Sequence, residues 1–278
     1  MGFFNVTTMV ANKETNMKWI GNSIAAMIMV WLLLPLRFAG PETGKVVLFD
    51  EGHAQRFRVK QSGPLDLSEL SALFMGEGLT VRVNKGKITT EVLAKVDALI
   101  ISGAFSPIAP SEIAAIARFL EHGGRLCIML HIGPPVADLL HRVNVSISNG
   151  VIHEQENRLR KDGLDYRITR MRPHELMKDV NRFSVYGGWA LINTEKNAEI
   201  IAQTSDKAWV DLNKDNKLGK GDAMQSFGVA IAGKSGRGGF VVFGDDALFQ
   251  NKFLVEGNAV LAKNLAKWLR NANKATEI

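Results

Sequence analysis

The stretch Lys45-Val-Val-Leu-Phe-Asp-Glu-Gly-His53 decides the predicted fold. Its four consecutive apolar residues, Val46 to Phe49, are too few for a helix. They are typical of a strand that is buried on both faces, as in a parallel sheet. The run ends in an acidic pair, a glycine and a histidine. Because ligands of open α/β sheets bind beyond the carboxyl ends of the strands, we expect this ending to border a binding site.

Two later stretches have the same layout as the first. The strand pattern of residues 125–130 runs into His131, and that of residues 239–244 runs into Asp245 and Asp246. We expect the three endings to converge on one edge of a sheet and to bring their polar side chains to a common crevice. The candidate ligand-binding residues of this crevice are Asp50, Glu51, His53, His131, Asp245 and Asp246.

Strand and helix patterns alternate between residues 45 and 140. Asp66 is predicted to cap a first amphipathic helix, and Thr89 or Thr90 to begin a second. Pro110 is predicted to open a third helix. A last helix is expected from about Val255 to Arg270. This order predicts an α/β fold over residues 45–270, with a parallel sheet, right-handed crossovers and helices on its faces.

The alternation stops after residue 140. Residues 143–204 carry short strand patterns, at 145–147, 166–168, 183–185 and 199–202, which are punctuated by arginine and lysine. No helix pattern like those of residues 45–140 separates these strand patterns. We therefore predict a β-rich insertion at about 143–204 within the α/β domain.

The amino-terminal segment has the character of a membrane anchor. Residues 19–36 contain no charged side chain, and a helix of this length approaches the hydrocarbon thickness of about 30 Å. A cleaved signal peptide is the alternative, but residues 38–40 make a poor cleavage site. A buried core helix is a further alternative. We predict a cytoplasmic tail at 1–17, a single transmembrane anchor at 18–38 in a bacterial cytoplasmic membrane, and an extracytoplasmic main domain.

The charge balance argues against a nucleic-acid partner. The chain has 278 residues and a formal net charge of +6, and its basic residues are spread out, not gathered in a block with interleaved aromatics. A mild excess of this kind is typical of a solvated surface. No nucleic-acid binding is predicted.

The candidate crevice residues allow more than one chemistry. Carboxylates and imidazoles that lie together bind divalent metals or act as acid and base. The plainer interpretation is that Asp50 and Asp245 cap neighbouring helices or bind loop amides and that His131 merely ends a strand. The sequence leaves both interpretations open, because no fixed ligand spacing such as His-Glu-x-x-His is present.

A second candidate site is a calcium-type loop at residues 211–222. Oxygen side chains fall at loop positions one, three, five and twelve, with Leu218 at position eight. Asn216 replaces the usual glycine, and an aspartate replaces the final glutamate. A plain turn rich in Asp and Asn is the alternative. The predicted ligand positions for Ca²⁺ are Asp211, Asn213, Asp215, Lys217 and Asp222.

A nucleophilic hydrolase is not supported by the motifs. Gly-x-Ser-x-Gly does not occur, and the lone Cys127 lies inside an apolar run where no sharp turn would expose it. The glycine-rich stretch 233–239 contains Gly-Lys-Ser but leads into a strand, so a hairpin turn is predicted there and not a phosphate-binding loop.

Several motifs together resemble a known family. They are Val-Leu-Phe-Asp-Glu-Gly-His at 47–53, Asp-Ala-Leu-Ile-Ile-Ser-Gly at 97–103, Phe-Leu-Glu-His-Gly-Gly-Arg-Leu at 119–126 and Phe-Gly-Asp-Asp-Ala-Leu-Phe at 243–249. The chain resembles the glutamine-amidotransferase-like (flavodoxin-like) extracytoplasmic domain of bacterial membrane proteins related to GldG-type components of ABC transporters. The resemblance implies an amidotransferase-type sheet that lacks the catalytic cysteine. It also implies a protein partner in a transport or envelope complex.

Two functional hypotheses follow. The first is a membrane-anchored, non-catalytic binding or accessory module that engages a ligand or partner at the strand-end crevice. The second is a metal-assisted hydrolase of glycans or amides, with His53, His131, Asp50 and Asp245 around one ion. A purely structural scaffold is the third and plainest possibility.

Overall fold

The computed structural model describes residues 44–215 and 217–272. The predicted tail at 1–17 and the predicted transmembrane segment at 18–38 lie outside these residues. Within the described ranges, no helix combines the length and the apolar character that crossing a bilayer requires.

Five parallel strands form one half of the main sheet. Their order across the sheet is β2-β1-β3-β4-β14, with every neighbouring pair parallel. This is the strand order of the flavodoxin-like doubly wound fold. The predicted α/β class is therefore confirmed. The five strands are β1 (Val46–Asp50), β2 (Thr80–Asn84), β3 (Ala98–Ser102), β4 (Arg125–Met129) and β14 (Gly238–Phe243).

The other half of the sheet is antiparallel. The hairpin of β13 and β14, with Ser235 paired to Gly238, turns the sheet from parallel to antiparallel and confirms the turn that the glycine-rich stretch predicts. From β13 the order continues through β9, β5, β11 and β12, and β10 pairs with both β13 and β7. The strands are β5 (Val145–His153), β7 (Arg170–Met171), β9 (Trp189–Asn193), β10 (Ala198–Gln203), β11 (Trp209–Val210), β12 (Ala223–Met224) and β13 (Gly228–Ser235).

The region predicted as a β-rich insertion is built into this same sheet. Between residues 145 and 203 the described chain is strands, loops and a single 3-10 turn at Glu175–Met177. Of these strands, β5, β9, β10 and β7 extend the main sheet, whereas β6 (Asp165–Ile168) and β8 (Phe183–Tyr186) form a separate antiparallel pair.

Helices cover both faces of the parallel half. Alternate strand residues point to opposite faces, so Phe49 and Ile100 join one apolar cluster while Leu48 and Ile101 join the other. The first cluster includes residues of α1 and α5, and the second includes residues of α2, α3 and α4. The helices are α1 (Ser68–Gly76), α2 (Thr90–Ala94), α3 (Pro110–Glu121), α4 (Ala137–Arg142) and α5 (Glu256–Arg270).

The topology places four strand ends at one edge. Because β1, β3, β4 and β14 are parallel, the loops that follow Asp50, Ser102, Met129 and Phe243 all leave the sheet on the same side. These loops carry the candidate crevice residues. This is the edge at which open α/β sheets hold their ligands.

Candidate functional site at the strand ends

The loop after β1 contains a buried histidine between two carboxylates. Nδ1 of His53 lies 2.7 Å from Oδ2 of Asp50, and Nε2 lies 3.3 Å from Oε2 of Glu112 on α3. The hydrogen bond to Asp50, together with the charges of both carboxylates, raises the pKa of His53 despite its burial. An imidazolium that donates from both nitrogens fits this arrangement. The histidine therefore ties the β1 loop to the start of α3.

The carboxylates of this network have further partners. Oδ2 of Asp50 accepts a hydrogen bond of 2.5 Å from Nε2 of Gln55, and its Oδ1 accepts one from the N–H of Gly52. Glu51 accepts from the N–H of Val59 at 3.1 Å. The bond from Gly52 is the binding of a loop amide that the plainer interpretation gives to Asp50. Both oxygens of Asp50 and both nitrogens of His53 are thus engaged within the protein.

Glu112 is held from three sides. Its Oε1 accepts a hydrogen bond from the N–H of Ile88 at 2.7 Å, and its Oε2 accepts one from the N–H of Ala109 at 3.1 Å. Burial pushes the pKa of Glu112 upward, but these backbone donors and the imidazole of His53 bring it below its ordinary value. The side chain is therefore an ionised acceptor at neutral pH.

A second imidazole–carboxylate pair follows β4 and β14. Nδ1 of His131 lies 3.1 Å from Oδ1 of Asp246, with 39% of the histidine side chain exposed and 1% of the aspartate side chain exposed. The hydrogen bond to Asp246 raises the pKa of His131. Among the described residues, no protein atom forms a hydrogen bond with Nε2 of His131. This pair presents a free ring nitrogen at the sheet edge.

Aromatic and basic side chains surround His131. The rings of Phe57 and Phe105 lie 5.1 Å and 5.3 Å from the imidazole, centroid to centroid. The guanidinium carbon of Arg56 lies 4.5 Å from the centroid of Phe105. Nε1–H of Trp189 donates to the carbonyl of His131 at 3.2 Å. The imidazole therefore lies beside two aromatic rings, one of which also contacts a guanidinium.

Asp245 is fully buried behind this surface. Its oxygens accept hydrogen bonds from the N–H groups of Tyr186 and Ala247, both at 2.8 Å. Burial, together with the charge of Asp246, raises the pKa of Asp245 to about 8. Burial also raises the pKa of Asp246, opposed by its bond to His131. Of the two adjacent carboxyls, Asp245 is bonded by backbone N–H groups and Asp246 by the imidazole of His131.

Buried polar atoms without partners also lie at this edge. Within the described chain, Oγ of Ser102 and Oδ2 of Asp246 are buried and form no hydrogen bond. A Cβ added at Gly103 would lie 2.5 Å from this same oxygen of Asp246, so the carboxylate rests directly on the glycine. Gly103 has φ +57°, where an L side chain is rare.

Four of the six candidate residues form two pairs on connected loops, Asp50 with His53 and His131 with Asp246. Backbone N–H groups of Phe105 and Ser106 donate to the carbonyl of His53 at 2.9 Å and 3.1 Å, which joins the β1 loop to the β3 loop beside His131. In the described part of the chain, no three His, Cys, Asp or Glu side chains are placed to share one metal ion. The loops leave the sheet at the same edge, with His53 and His131 directed to different carboxylates.

The predicted calcium loop connects β11 to β12. Oδ1 and Oδ2 of Asp222 accept hydrogen bonds from the N–H groups of Leu212 and Gly219, at 3.0 Å and 2.7 Å. The N–H of Asp215 donates to the side chains of Asp211 and Asn213, and the N–H of Lys217 donates to Asp215. Asn216 lies outside the described residues. The side-chain oxygens predicted as Ca²⁺ ligands thus accept backbone hydrogen bonds within one exposed turn, and the described structure does not group Asp211, Asp215 and Asp222 around one ion.

Several residues at this edge were not among the sequence candidates. Glu112 has a sequence signal, since it follows Pro110 at a helix start, but nothing local relates it to a histidine 59 positions earlier. Arg56, Phe57 and Phe105 lie in loops without periodicity. Only their convergence in space connects them with His131.

Comparisons with known proteins show the fold alone. No protein-family model and no curated protein matches the chain. Among solved structures, the mmIFT52 N-terminal domain is similar with a TM-score of 0.66 and 16% identity, over 82% of this chain and 98% of that chain. A cytoplasmic protein from Salmonella typhimurium is similar with a TM-score of 0.54 and 15% identity, over 82% of this chain and 100% of that chain.

A third similar structure bears on the type of α/β fold. A ThuA-like protein from Bacteroides uniformis has a TM-score of 0.52 and 16% identity, over 83% of this chain and 92% of that chain. This likeness agrees with the α/β fold that the β2-β1-β3-β4-β14 strand order defines as flavodoxin-like.

Proposed function

We propose that the chain is a membrane-anchored, non-catalytic binding module of the amidotransferase-like fold. Its ligand site is the strand-end surface around His131. The observation that carries the proposal is the free Nε2 of His131, half exposed between Phe57 and Phe105 and oriented by Asp246 from behind. Apolar walls with a few oriented polar groups are what small-molecule sites in proteins have in common.

The position of Cys127 supports a non-catalytic role. Cys127 lies in the middle of β4 and is fully buried, and burial raises the pKa of its thiol well above the ordinary value. A thiol nucleophile needs a lowered pKa and access to the substrate. Cys127 serves instead as a small apolar residue of the sheet.

The membrane and partner parts of the proposal depend on the sequence. The charge-free run of residues 19–36 supports a single anchor with the α/β domain outside the cytoplasmic membrane. The resemblance to GldG-type domains supports an accessory role in an ABC-type transport or envelope complex. In this arrangement the domain presents a bound ligand or its sheet edge to a protein partner.

A thermal-shift screen of the full-length protein in non-ionic detergent tests ligand binding. The screen uses a library of small acids, amines, sugars and amides. We expect at least one compound to raise the melting temperature, and we expect His131→Ala and Phe57→Ala each to abolish that shift. His141→Ala, which removes an exposed histidine from α4, is the matched control and should keep the shift. Equal shifts of the melting temperature in all variants would show that the compound binds away from His131.

A metal-assisted hydrolase is a second candidate function because of the hydrogen-bonded pair His131 and Asp246. Histidines that ligate metals commonly donate their other ring N–H to a carboxylate, as His131 does to Asp246. Metal analysis of the purified full-length protein separates the two functions. A stoichiometric transition metal that is lost in His131→Ala would favour the hydrolase, whereas a metal-free protein that still binds its ligand would favour the module.

A further inference from the structure

Two cationic side chains lie against the same aromatic ring at the strand-end surface. The guanidinium of Arg56 lies 4.5 Å from the centroid of Phe105, and the imidazole of His131 lies 5.3 Å from it. Arg56 is exposed, and its charge lowers the pKa of His131. The two groups therefore repel each other when His131 is protonated, and an anion that contacts both would replace this repulsion with attraction.

The surroundings of His131 favour an anion on one side only. Asp246 bonds Nδ1 from the buried side, with Asp245 behind it, and Arg56 is the charged group on the exposed side. Both acidic groups are almost fully buried, so they do not compete for the space in front of Nε2. The rings of Phe57 and Phe105, 5.1 Å and 5.3 Å from the imidazole, offer apolar surface beside it, and a hydrogen bond from the imidazolium to an anion is charge-assisted.

We propose that Arg56 and His131 together bind an oxyanion, a carboxylate or phosphate group carried by a small ligand. The inference deepens the proposed function, on which it rests, by naming the ligand's chemistry. Nε2–H of His131 donates one hydrogen bond to the anion, and the guanidinium donates one or two. The apolar part of the ligand packs on Phe57 and Phe105.

Binding of this kind depends on pH with a defined sign. The anion prefers the protonated imidazole, so its affinity is highest below the pKa of His131 and falls as the pH rises through it. Asp246 and Asp245 favour the protonated form, and Arg56 opposes it. Bound anion adds a negative charge on the Arg56 side and shifts the titration of His131 to higher pH.

Calorimetric titration of the full-length chain in non-ionic detergent tests the inference. The probes are malonate for a carboxylate, inorganic phosphate for a phosphate group, and malonamide as the uncharged equivalent of malonate. We expect malonate or phosphate to bind at pH 6 and at least tenfold more weakly at pH 8.5, with no binding of malonamide. Arg56→Gln and His131→Gln should each weaken binding about tenfold or more. Lys60→Gln, the same loss of charge at an exposed site on the same loop, should leave it unchanged.

The outcomes separate this inference from the proposed function. Stronger binding of malonate assigns a carboxylate, and stronger binding of phosphate assigns a phosphate group. Anion binding that is equal in Arg56→Gln and Lys60→Gln, or absent at both pH values, overturns the oxyanion inference. If a neutral compound from the thermal-shift screen still depends on His131 and Phe57, the binding module survives this result. If no compound depends on them, both proposals fail.

Discussion

Gly103 is the residue at which β3 leaves the sheet, and its backbone supports the His131–Asp246 pair. A Cβ at this position would lie 2.5 Å from Oδ2 of Asp246 and 3.4 Å from Cβ of His131, at φ +57°. We expect Gly103→Ala to destabilise the protein by about 1–3 kcal/mol, because a strained backbone is combined with a displaced carboxylate. The free energy of unfolding from urea titration measures this loss.

Gly76 provides the control for this substitution. It ends α1, and a Cβ added there would meet no atom within 4 Å. We expect Gly76→Ala to leave stability unchanged or to raise it by up to about 1 kcal/mol, through the lower entropy of the unfolded chain. If both alanine variants unfold alike, the close approach at Gly103 does not constrain the fold.

His53 makes the stability of the fold depend on pH. Its pKa in the folded protein is raised above the ordinary 6.5, so its contribution is complete below about pH 6.5 and is lost as the pH rises through the folded value. The groups that face it are Asp50 and Glu112. We expect His53→Gln to lower the free energy of unfolding by about 3 kcal/mol at pH 6, because two buried carboxylates lose the cation that they share. The decrease should be smaller at pH 8.5.

Urea titrations between pH 5.5 and 8.5 test this expectation. Asp245, whose pKa is about 8, also lowers stability as the pH rises, but wild type and variant share this effect. The difference between their curves therefore isolates His53. The stability of His141→Gln, a variant at an exposed position of α4, should change with pH in the same way as that of the wild type. Parallel curves for His53→Gln as well would show that His53 does not titrate with folding.

At the scale of elements, the sequence predicts the approximate start of a helix more reliably than it predicts the capping residue. Thr89 or Thr90 was predicted to begin α2, and Thr89 is its cap, with a side chain that accepts a hydrogen bond from the N–H of Val92. Asp66 was predicted to cap α1, which is wrong. Helix α1 begins at Ser68, and Asp66 accepts hydrogen bonds from the N–H groups of Arg58 and Gly63 instead. The preceding loop competes for the same carboxylate.

The loop between β11 and β12 carries a prediction about calcium. Asp211 and Asn213 both accept a hydrogen bond from the N–H of Asp215 in this turn, and Trp209 lies two residues before Asp211. We expect Tb³⁺ to bind the full-length protein with luminescence sensitised by Trp209, and Ca²⁺ to compete with a Kd on the order of 10⁻⁴ to 10⁻³ M. Lysines at 214, 217 and 220 are the reason for weak binding. Asp215→Asn should weaken the signal, since it removes a charged ligand.

Asp138→Asn is the control for the calcium loop, because it removes an exposed carboxylate on α4 far along the chain from the loop. It should leave the terbium signal unchanged. Absence of sensitised luminescence, or an equal decrease in both variants, would identify residues 211–222 as a plain turn rich in Asp and Asn.

At the scale of the whole molecule, the proposed anchor is testable without reference to the site. We expect the full-length chain to stay in the membrane fraction during alkaline carbonate extraction, and its α/β domain to be digested by protease added to spheroplasts. Ala26→Arg together with Met29→Arg should release the protein, because each arginine near the centre of a span costs about 2.5–3.5 kcal/mol. Leucine at both positions is the control that should stay anchored. Extraction of the wild type would contradict the anchor.

The sequence by itself determined the α/β class and the edge at which polar loops gather. Apolar runs of about five residues, separated by amphipathic helices, can be buried only as a parallel sheet between helices, and parallel strands necessarily end on one side. Both conclusions follow from local patterns and from chain geometry, so they need no knowledge of distant contacts.

Only the tertiary structure decided which side chains meet at that edge. Whether His53 pairs with Glu112, and His131 with Asp246, depends on the packing of α3 and β14 against loops 59 and 115 residues away in sequence. The same holds for β5, β9 and β10, whose places in the main sheet are set by long-range pairing with β13 and with one another. Burial then fixes the chemistry, because it gives Asp245 a pKa of about 8 while Asp246 faces a half-exposed imidazole.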